Sequence, residues 1–230
     1  MRASPPADVD ELRDHHERLL ARLRGIALEH GHGPARLRIV GVTKTHPPQL
    51  ARRAYEAGIT LLGENRVQEA EPKIAAAPDA EWHFIGRLQS NKVRRAVRGF
   101  AVIHSVDSQE LIERVDAAAI EEGRAPHVLL QVNVSGEASK AGLGPEALDA
   151  VRPPATARLV GLMTIAPMVA SDEQARRVFG QLRSLRDRLE DRLGLPLPEL
   201  SMGMSADAEA AAAEGATLVR IGTALFGPRA

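Results

Sequence analysis

Ile39-Val40-Gly41-Val42-Thr43-Lys44 is a short apolar run that closes on a basic residue. It reads as a β-strand that delivers its last side chain, Lys44, into a loop. An amine sharing a strand end with apolar neighbours is partly desolvated, so its charged form is disfavoured and a nucleophilic neutral amine becomes accessible. Taken alone, the run reads first as an ordinary solvated lysine at a strand terminus. The rest of the chain decides between the two.

Outward from this run, short apolar stretches alternate with helical ones. Strands are expected near 38–44, 60–63, 82–86, 101–105, 127–134, 158–165, 198–202 and 217–221. Between them lie helical patterns such as Pro48 to Ala57, Asn91 to Val97, Ser108 to Glu122, Asp172 to Leu193 and Ala206 to Glu214, several opened by Ser, Asp or Pro. The strands are too apolar for a one-sided antiparallel sheet. Eight βα units predict a single (β/α)8 TIM-type barrel over residues 38–227, with an open doubly wound sheet as the alternative. Ahead of it, Leu12, Leu19, Leu20, Leu23, Ile26 and Ala27 recur at helical spacing and predict an extra amphipathic N-terminal helix over 8–30. No linker divides residues 1–230, so one domain is expected. His15, His16, His30 and His32 lack the ordered spacing with carboxylates of a metal site, and no metal is expected.

Composition narrows the function. Thirty basic residues balance thirty acidic ones, which removes any global electrostatic case for nucleic acid or an anionic membrane and favours small, locally recognised ligands. The chain has no cysteine, so disulfides, thiolate catalysis and thiolate metal ligation are excluded. No apolar run approaches the roughly 20 residues of a membrane span. Met1-Arg2-Ala3-Ser4-Pro5-Pro6 leads into a charged helix instead of an apolar signal core, so a soluble, cytoplasmic protein is expected, as monomer or weak dimer.

In such a barrel the βα loops converge on one mouth at the C-terminal ends of the strands, where chemistry belongs. Lys44 ends the first strand, Glu64-Asn65-Arg66 follow the second, Gly86-Arg87-Leu88-Gln89 the third, Met163-Thr164 end the sixth, and Ser201 to Ser205 follow the seventh. Barrels of this kind frequently hold a phosphate with the loops after strands seven and eight. Ser201-Met202-Gly203-Met204-Ser205 supplies a flexible turn with two hydroxyls, and Ile221-Gly222-Thr223-Ala224 a small residue and another hydroxyl. Glycine lets backbone approach an anion, and hydroxyls complete its hydrogen bonding. Ordinary capping by Ser205 and a plain turn at Gly222 are the competing readings. Arg220, near the end of the eighth strand, reads as a salt-bridge partner or as a donor to a ring nitrogen. A nucleophilic lysine, a phosphate cradle and a ring-directed arginine in one mouth are the parts needed to hold pyridoxal 5′-phosphate (PLP) as a Schiff base.

Over nearly its whole length the chain resembles the pyridoxal phosphate homeostasis proteins, relatives of the barrel domain of alanine racemase. Val42-Thr43-Lys44-Thr45 is similar to the segment carrying the family's cofactor lysine. Gly63-Glu64-Asn65-Arg66-Val67-Gln68-Glu69 resembles the next signature, which usually has Tyr where Arg66 stands. His83 to Lys92, Gly161 to Ile165, Leu200 to Asp207 and Val219 to Gly227 resemble the remaining four. The resemblance implies that Lys44 carries the Schiff base, Asn65 approaches the ring hydroxyl and Arg220 meets the pyridine nitrogen. It implies that Ser205, Gly222 and Thr223 hold the phosphate, with Ser201 and Met163 lining the pocket. Arg66 and Thr43 depart from the family pattern beside these residues without replacing them. Lys140, after the fifth strand, resembles a further family lysine and is expected to be solvated.

A bound cofactor does not establish catalysis. An arginine at the pyridine nitrogen stays protonated and leaves that nitrogen largely unprotonated, so the ring is a poorer electron sink than one paired with a carboxylate. Racemisation also needs an acid or base opposite the lysine, which alanine racemase takes from a tyrosine of its second domain and partner subunit. Here the chain is expected to stop soon after Phe226-Gly227, and its one tyrosine, Tyr55, falls in the helix after strand one. The expectation is a non-catalytic protein that buffers PLP or delivers it to PLP-dependent apo-enzymes, in vitamin B6 and amino-acid homeostasis. A weakly active amino-acid racemase and a class I aldolase-like barrel using Lys44 on a sugar phosphate are the alternatives.

Overall fold

Eight parallel strands pair in chain order and close into a barrel: β1 (Arg38–Val42), β2 (Leu61–Glu64), β3 (Glu81–Phe84), β4 (Val102–Val106), β5 (His127–Gln131), β6 (Arg158–Met163), β7 (Glu199–Met204) and β8 (Leu218–Ile221). Closure brings the first strand beside the last, with Val40 opposite Arg220 and Gly41 opposite Ile221. The computed structural model describes residues 8–137, 141–167 and 171–227, so Lys140 lies outside the described residues.

Alternation along each strand separates two environments. Ile39, Leu62, Trp82, Phe84, Ile103, Leu130, Leu162, Leu200 and Val219 point outward and join the large apolar core under the helices. Val102, Leu129 and Met163 form a separate small cluster. The outer layer comprises α2 (Pro48–Glu56), α3 (Val67–Ala76), α4 (Val93–Gly99), α5 (Gln109–Glu122), α6 (Asp172–Leu193), α7 (Ala208–Ala213) and the single turn α8 (Thr223–Phe226). The N-terminal helix α1 (Val9–Glu29) starts on Asp8, which accepts from the Glu11 N–H at 2.9 Å, and packs against α2 and α7. Arg94 and Arg98 of α4 both clasp Glu122 of α5.

The structure departs from the sequence expectation, or adds to it, at several places. Helix α3 forms despite Pro72 in its interior. The passage from β5 to β6 carries a 3-10 helix, Pro145–Ala150, instead of an α-helix. Strand β7 runs to Met204 and not to residue 202, while β1, β5 and β6 stop at Val42, Gln131 and Met163 and not at 44, 134 and 165, so Lys44 lies two residues past its strand. Finally, Asp207 and not Ser205 stands at the start of α7. Among the described residues no group of three or more His, Asp or Glu could hold a metal, and no helix is long and apolar enough to cross a membrane.

Gly161 of β6 sits tightly against β7: a Cβ there would lie 1.9 Å from the Glu199 carbonyl oxygen. Gly161→Ala is therefore expected to push the two strands apart and cost about 1–3 kcal/mol, read as a lower urea midpoint of unfolding.

Candidate functional site

A cavity of about 560 Å3 opens at the C-terminal ends of the strands. Its lining includes Lys44 after β1, Asn65 after β2, Arg220 of β8, Ser205 after β7, and Gly222 and Thr223 after β8. Lys44, Arg87 and Arg220 supply cationic groups, and no carboxylate is among the lining residues. Such a wall favours an anionic ligand. Arg87, expected at the mouth after the third strand, lines it, and side chains not singled out from the sequence also face it: His46, Gln131 and Asn133. Their only signal was proximity to strand ends, and His46 stands in the same loop as Lys44.

The Lys44 turn is held from below. Thr43 is buried, and its carbonyl accepts from the His46 N–H at 3.0 Å and from Lys73 Nζ at 2.7 Å. Lys73 also donates to Glu64 Oε1 at 2.6 Å, and the Thr43 hydroxyl donates to the same oxygen at 2.6 Å. Glu64 and Lys73 are 0% and 3% exposed, so an ion pair lies out of water directly beneath the segment that carries Lys44. Burial pushes the Glu64 carboxyl up, against the opposing pull of Lys73 and Thr43. Thr45 follows with φ +67°, a left-handed conformation unfavourable for a β-branched residue, and its hydroxyl donates to the Lys44 carbonyl at 2.5 Å. Gly86, two residues past β3, presses against this region: a Cβ there would come within 2.1 Å of the Asn65 carbonyl oxygen.

On the other side, Arg220 is 5% exposed and donates to Ser201 Oγ at 2.5 Å and to the Thr164 carbonyl at 2.9 Å. Burial lowers its guanidinium to about 10, with Asp207 opposing, and at neutral pH it remains a cation. Below it His104 Nδ1 meets Ser201 Oγ at 2.8 Å, His83 Nδ1 meets His104 Nε2 at 2.7 Å, and Glu81 Oε1 meets His83 Nε2 at 2.9 Å. Both rings are buried and held below the ordinary value of 6.5 by desolvation, His104 well below it.

Two of the residues expected at the pocket stand elsewhere. Ser201 and Met163 are fully buried and are not among the lining residues. Ser201 lies under Arg220, and Met163 packs with Val102 and Leu129. The cavity is reached by Ser205 and Ile165 instead, four and two residues further along. Ser205 does not cap α7: its hydroxyl accepts from the Ala224 N–H at 3.3 Å and so ties the loop after β7 to the loop after β8. Tyr55 lies on α2, partly buried against the outer core.

Two outcomes follow from these contacts. Lys73→Met strands Glu64 and should cost about 3–5 kcal/mol in urea unfolding, whereas Glu64→Leu combined with Lys73→Met should recover most of it. Since His83 and His104 resist protonation in the fold, the unfolded chain binds more protons below about pH 6.5. Stability should therefore fall on acidification from that point, by up to about 1.4 kcal/mol per pH unit for each ring. Unfolding midpoints measured from about pH 7.5 to 5.5 should show this slope, and His104→Gln should flatten it.

Residues 18–230 match the alanine racemase N-terminal domain family. The pyridoxal phosphate homeostasis protein of Aquifex aeolicus is 42% identical over 218 residues, covering 92% of this chain and 96% of that protein. Its counterpart in Pseudomonas aeruginosa is 46% identical over 219 residues, covering 92% and 93%. PipY of Synechococcus elongatus, solved with PLP bound, superposes with a TM-score of 0.79 at 42% identity, covering 90% of this chain and 100% of that one. With a barrel closed in the same way and relatives this similar along most of its length, the chain belongs to the pyridoxal phosphate homeostasis protein family, within the alanine racemase N-terminal domain group.

Proposed function

We propose that this protein binds pyridoxal 5′-phosphate in the barrel mouth through a Schiff base to Lys44, and that it buffers the cofactor or delivers it to apo-enzymes in the cytoplasm without turning over a substrate of its own. The observation that carries the reading is a cavity, free of carboxylates among the described residues, in which Lys44 just past β1 and Arg220 on the neighbouring β8 stand beside the linked loops of Ser205 and Thr223. The residues fit the cofactor on a further point: Asn65 Oδ1 is buried with no hydrogen-bond partner among the described residues, as an acceptor awaiting a ring hydroxyl is. Ser205, Gly222 and Thr223 take the phosphate, and Arg220 donates to the ring nitrogen. The homeostasis-protein names of the relatives and the PLP in PipY support the same reading.

When bound, PLP supplies an electrophilic aldehyde carbon and a conjugated electron-withdrawing ring. The chain's own residues favour holding over turnover. Arg220 keeps its proton at neutral pH and therefore does not give one to the ring nitrogen. Among the described residues no Asp, Glu, Cys or Tyr lines the cavity to exchange a proton opposite Lys44.

One observation favours a second reading, weak amino-acid racemisation: His46, two residues from Lys44, also lines the cavity, and an imidazole is the side chain most often used in general acid–base catalysis. Prolonged incubation with L- and D-amino acids separates the two. The carrier reading expects no turnover; multiple turnovers lost in both Lys44→Ala and His46→Gln would establish the enzyme.

Borohydride should fix a pyridoxyl group on Lys44 in the wild type and none at that position in Lys44→Ala. The variant should still prefer PLP over free pyridoxal, because the phosphate loops do not depend on the lysine. Equal affinity for both would remove the cradle. Transfer to an apo-enzyme faster than release into solution would show delivery, and equal rates buffering alone.

A further inference from the structure

Five side chains run through the barrel from the cavity to its opposite end: Arg220 of β8, Ser201 of β7, His104 of β4, His83 of β3 and Glu81 at the start of β3. The first four are 5%, 0%, 0% and 1% exposed, while the Glu81 side chain is 46% exposed. The chemistry of the two ends fixes every hydrogen between them. Arg220 can only donate, so Ser201 Oγ accepts from it; the Glu81 carboxylate can only accept, so with neutral rings His104 Nδ1 is left as the acceptor of the Ser201 hydroxyl hydrogen. That places the His104 proton on Nε2, which donates to His83 Nδ1. The His83 proton then sits on Nε2 and donates to the Glu81 carboxylate, which can only accept. With both rings neutral all four links are made and all point one way.

Resting on the cofactor reading above, we propose that Ser201, His104 and His83 are positioning residues, a one-directional hydrogen-bond relay that orients Arg220 at the cavity and makes its donation to the ligand ring depend on Glu81 at the far end of the barrel. Arg220 needs such a support. Its hydrogen-bond acceptors among the described residues are a hydroxyl and a carbonyl, both neutral. In a chain of this kind each bond polarises the next, so the negative charge of Glu81 makes Ser201 Oγ a better acceptor than an isolated serine. Other charged groups bear on the rings: Arg38 of β1, Glu199 of β7, and His127 of β5 beside Glu81. Arg38 and Glu199 are paired at 2.5 Å and act on His83 in opposite directions.

Glu81 is the point of test, because it is half exposed and remote from the cavity. In the full-length protein labelled with 15N-histidine and free of ligand, long-range 1H–15N correlation at neutral pH should show His83 and His104 neutral with the proton on Nε2. Glu81→Leu, which removes the terminal acceptor, should shift the His104 ring resonances, change the pH profile of the absorption of bound PLP and weaken PLP binding by about two- to five-fold. Glu81→Gln keeps an acceptor oxygen without the charge and should lie between the wild type and Glu81→Leu in all three, a graded order that a general loss of packing would not give. A proton on His104 Nδ1, a charged ring at neutral pH, or a Glu81→Leu protein with unchanged His104 resonances and unchanged PLP absorption overturns the relay. Should Glu81→Leu fail to fold, the wild-type proton positions and the Glu81→Gln spectra decide. A wild type that shows these proton positions but binds no PLP would remove the cofactor reading and leave the directional chain standing.

Discussion

Glu64 and Lys73 meet out of water where β1 leaves the barrel, and the direction of Lys44 depends on that meeting. Burying two charges costs several kcal/mol for each ion, and their attraction offsets this only when the geometry is good. Here the pair does more than neutralise itself. Lys73 fixes the carbonyl of Thr43 and Glu64 fixes its hydroxyl, so the residue before Lys44 has no remaining freedom. Thr45 can then hold a left-handed conformation that costs of the order of 1–3 kcal/mol. The amine at the mouth is thus aimed by backbone that is strained on one side and clamped on the other.

The barrel interior divides its chemistry in a similar way. Branched apolar side chains usually fill such an interior in layers. In this protein Val102, Leu129 and Met163 fill one part, and a line of polar groups from Arg220 to Glu81 fills another. The polar line is tolerable because its buried members are all hydrogen-bonded, a half-satisfied network being worse than an apolar core. Its presence keeps a guanidinium at the cavity floor with no carboxylate in contact, and that charge is left to face a ligand.

The barrel was legible because strand and helix periods alternate along the chain, and the mouth because polar residues recur just past the apolar runs. Lys44, Asn65, Arg220, Ser205, Gly222 and Thr223 all follow from that rule and converge on one cavity. Ser201 and Met163 fail it for a plain reason. Both have the inward parity of cavity residues, but Ser201 lies below a strand end that comes at Met204, and the cavity wall beyond Met163 is made by Ile165. Lys73 gave no signal, since a lysine inside a helix reads as a solvated one until the strand beside it is known to end in Glu64. The pairing of His83 with His104 spans 21 residues and two strands, and depends on a register that sequence periodicity does not specify.

The neutral exterior and the cationic cavity act over different ranges. With thirty positive and thirty negative side chains, the molecule presents no net charge to a distant anion. Beyond a screening length of roughly 8 Å in physiological salt, the Lys44, Arg87 and Arg220 charges are also masked. A small anion therefore meets this protein by unassisted diffusion and is held only after it has reached the mouth. Substitutions around the mouth will accordingly tune how long such a ligand stays far more than how often it arrives.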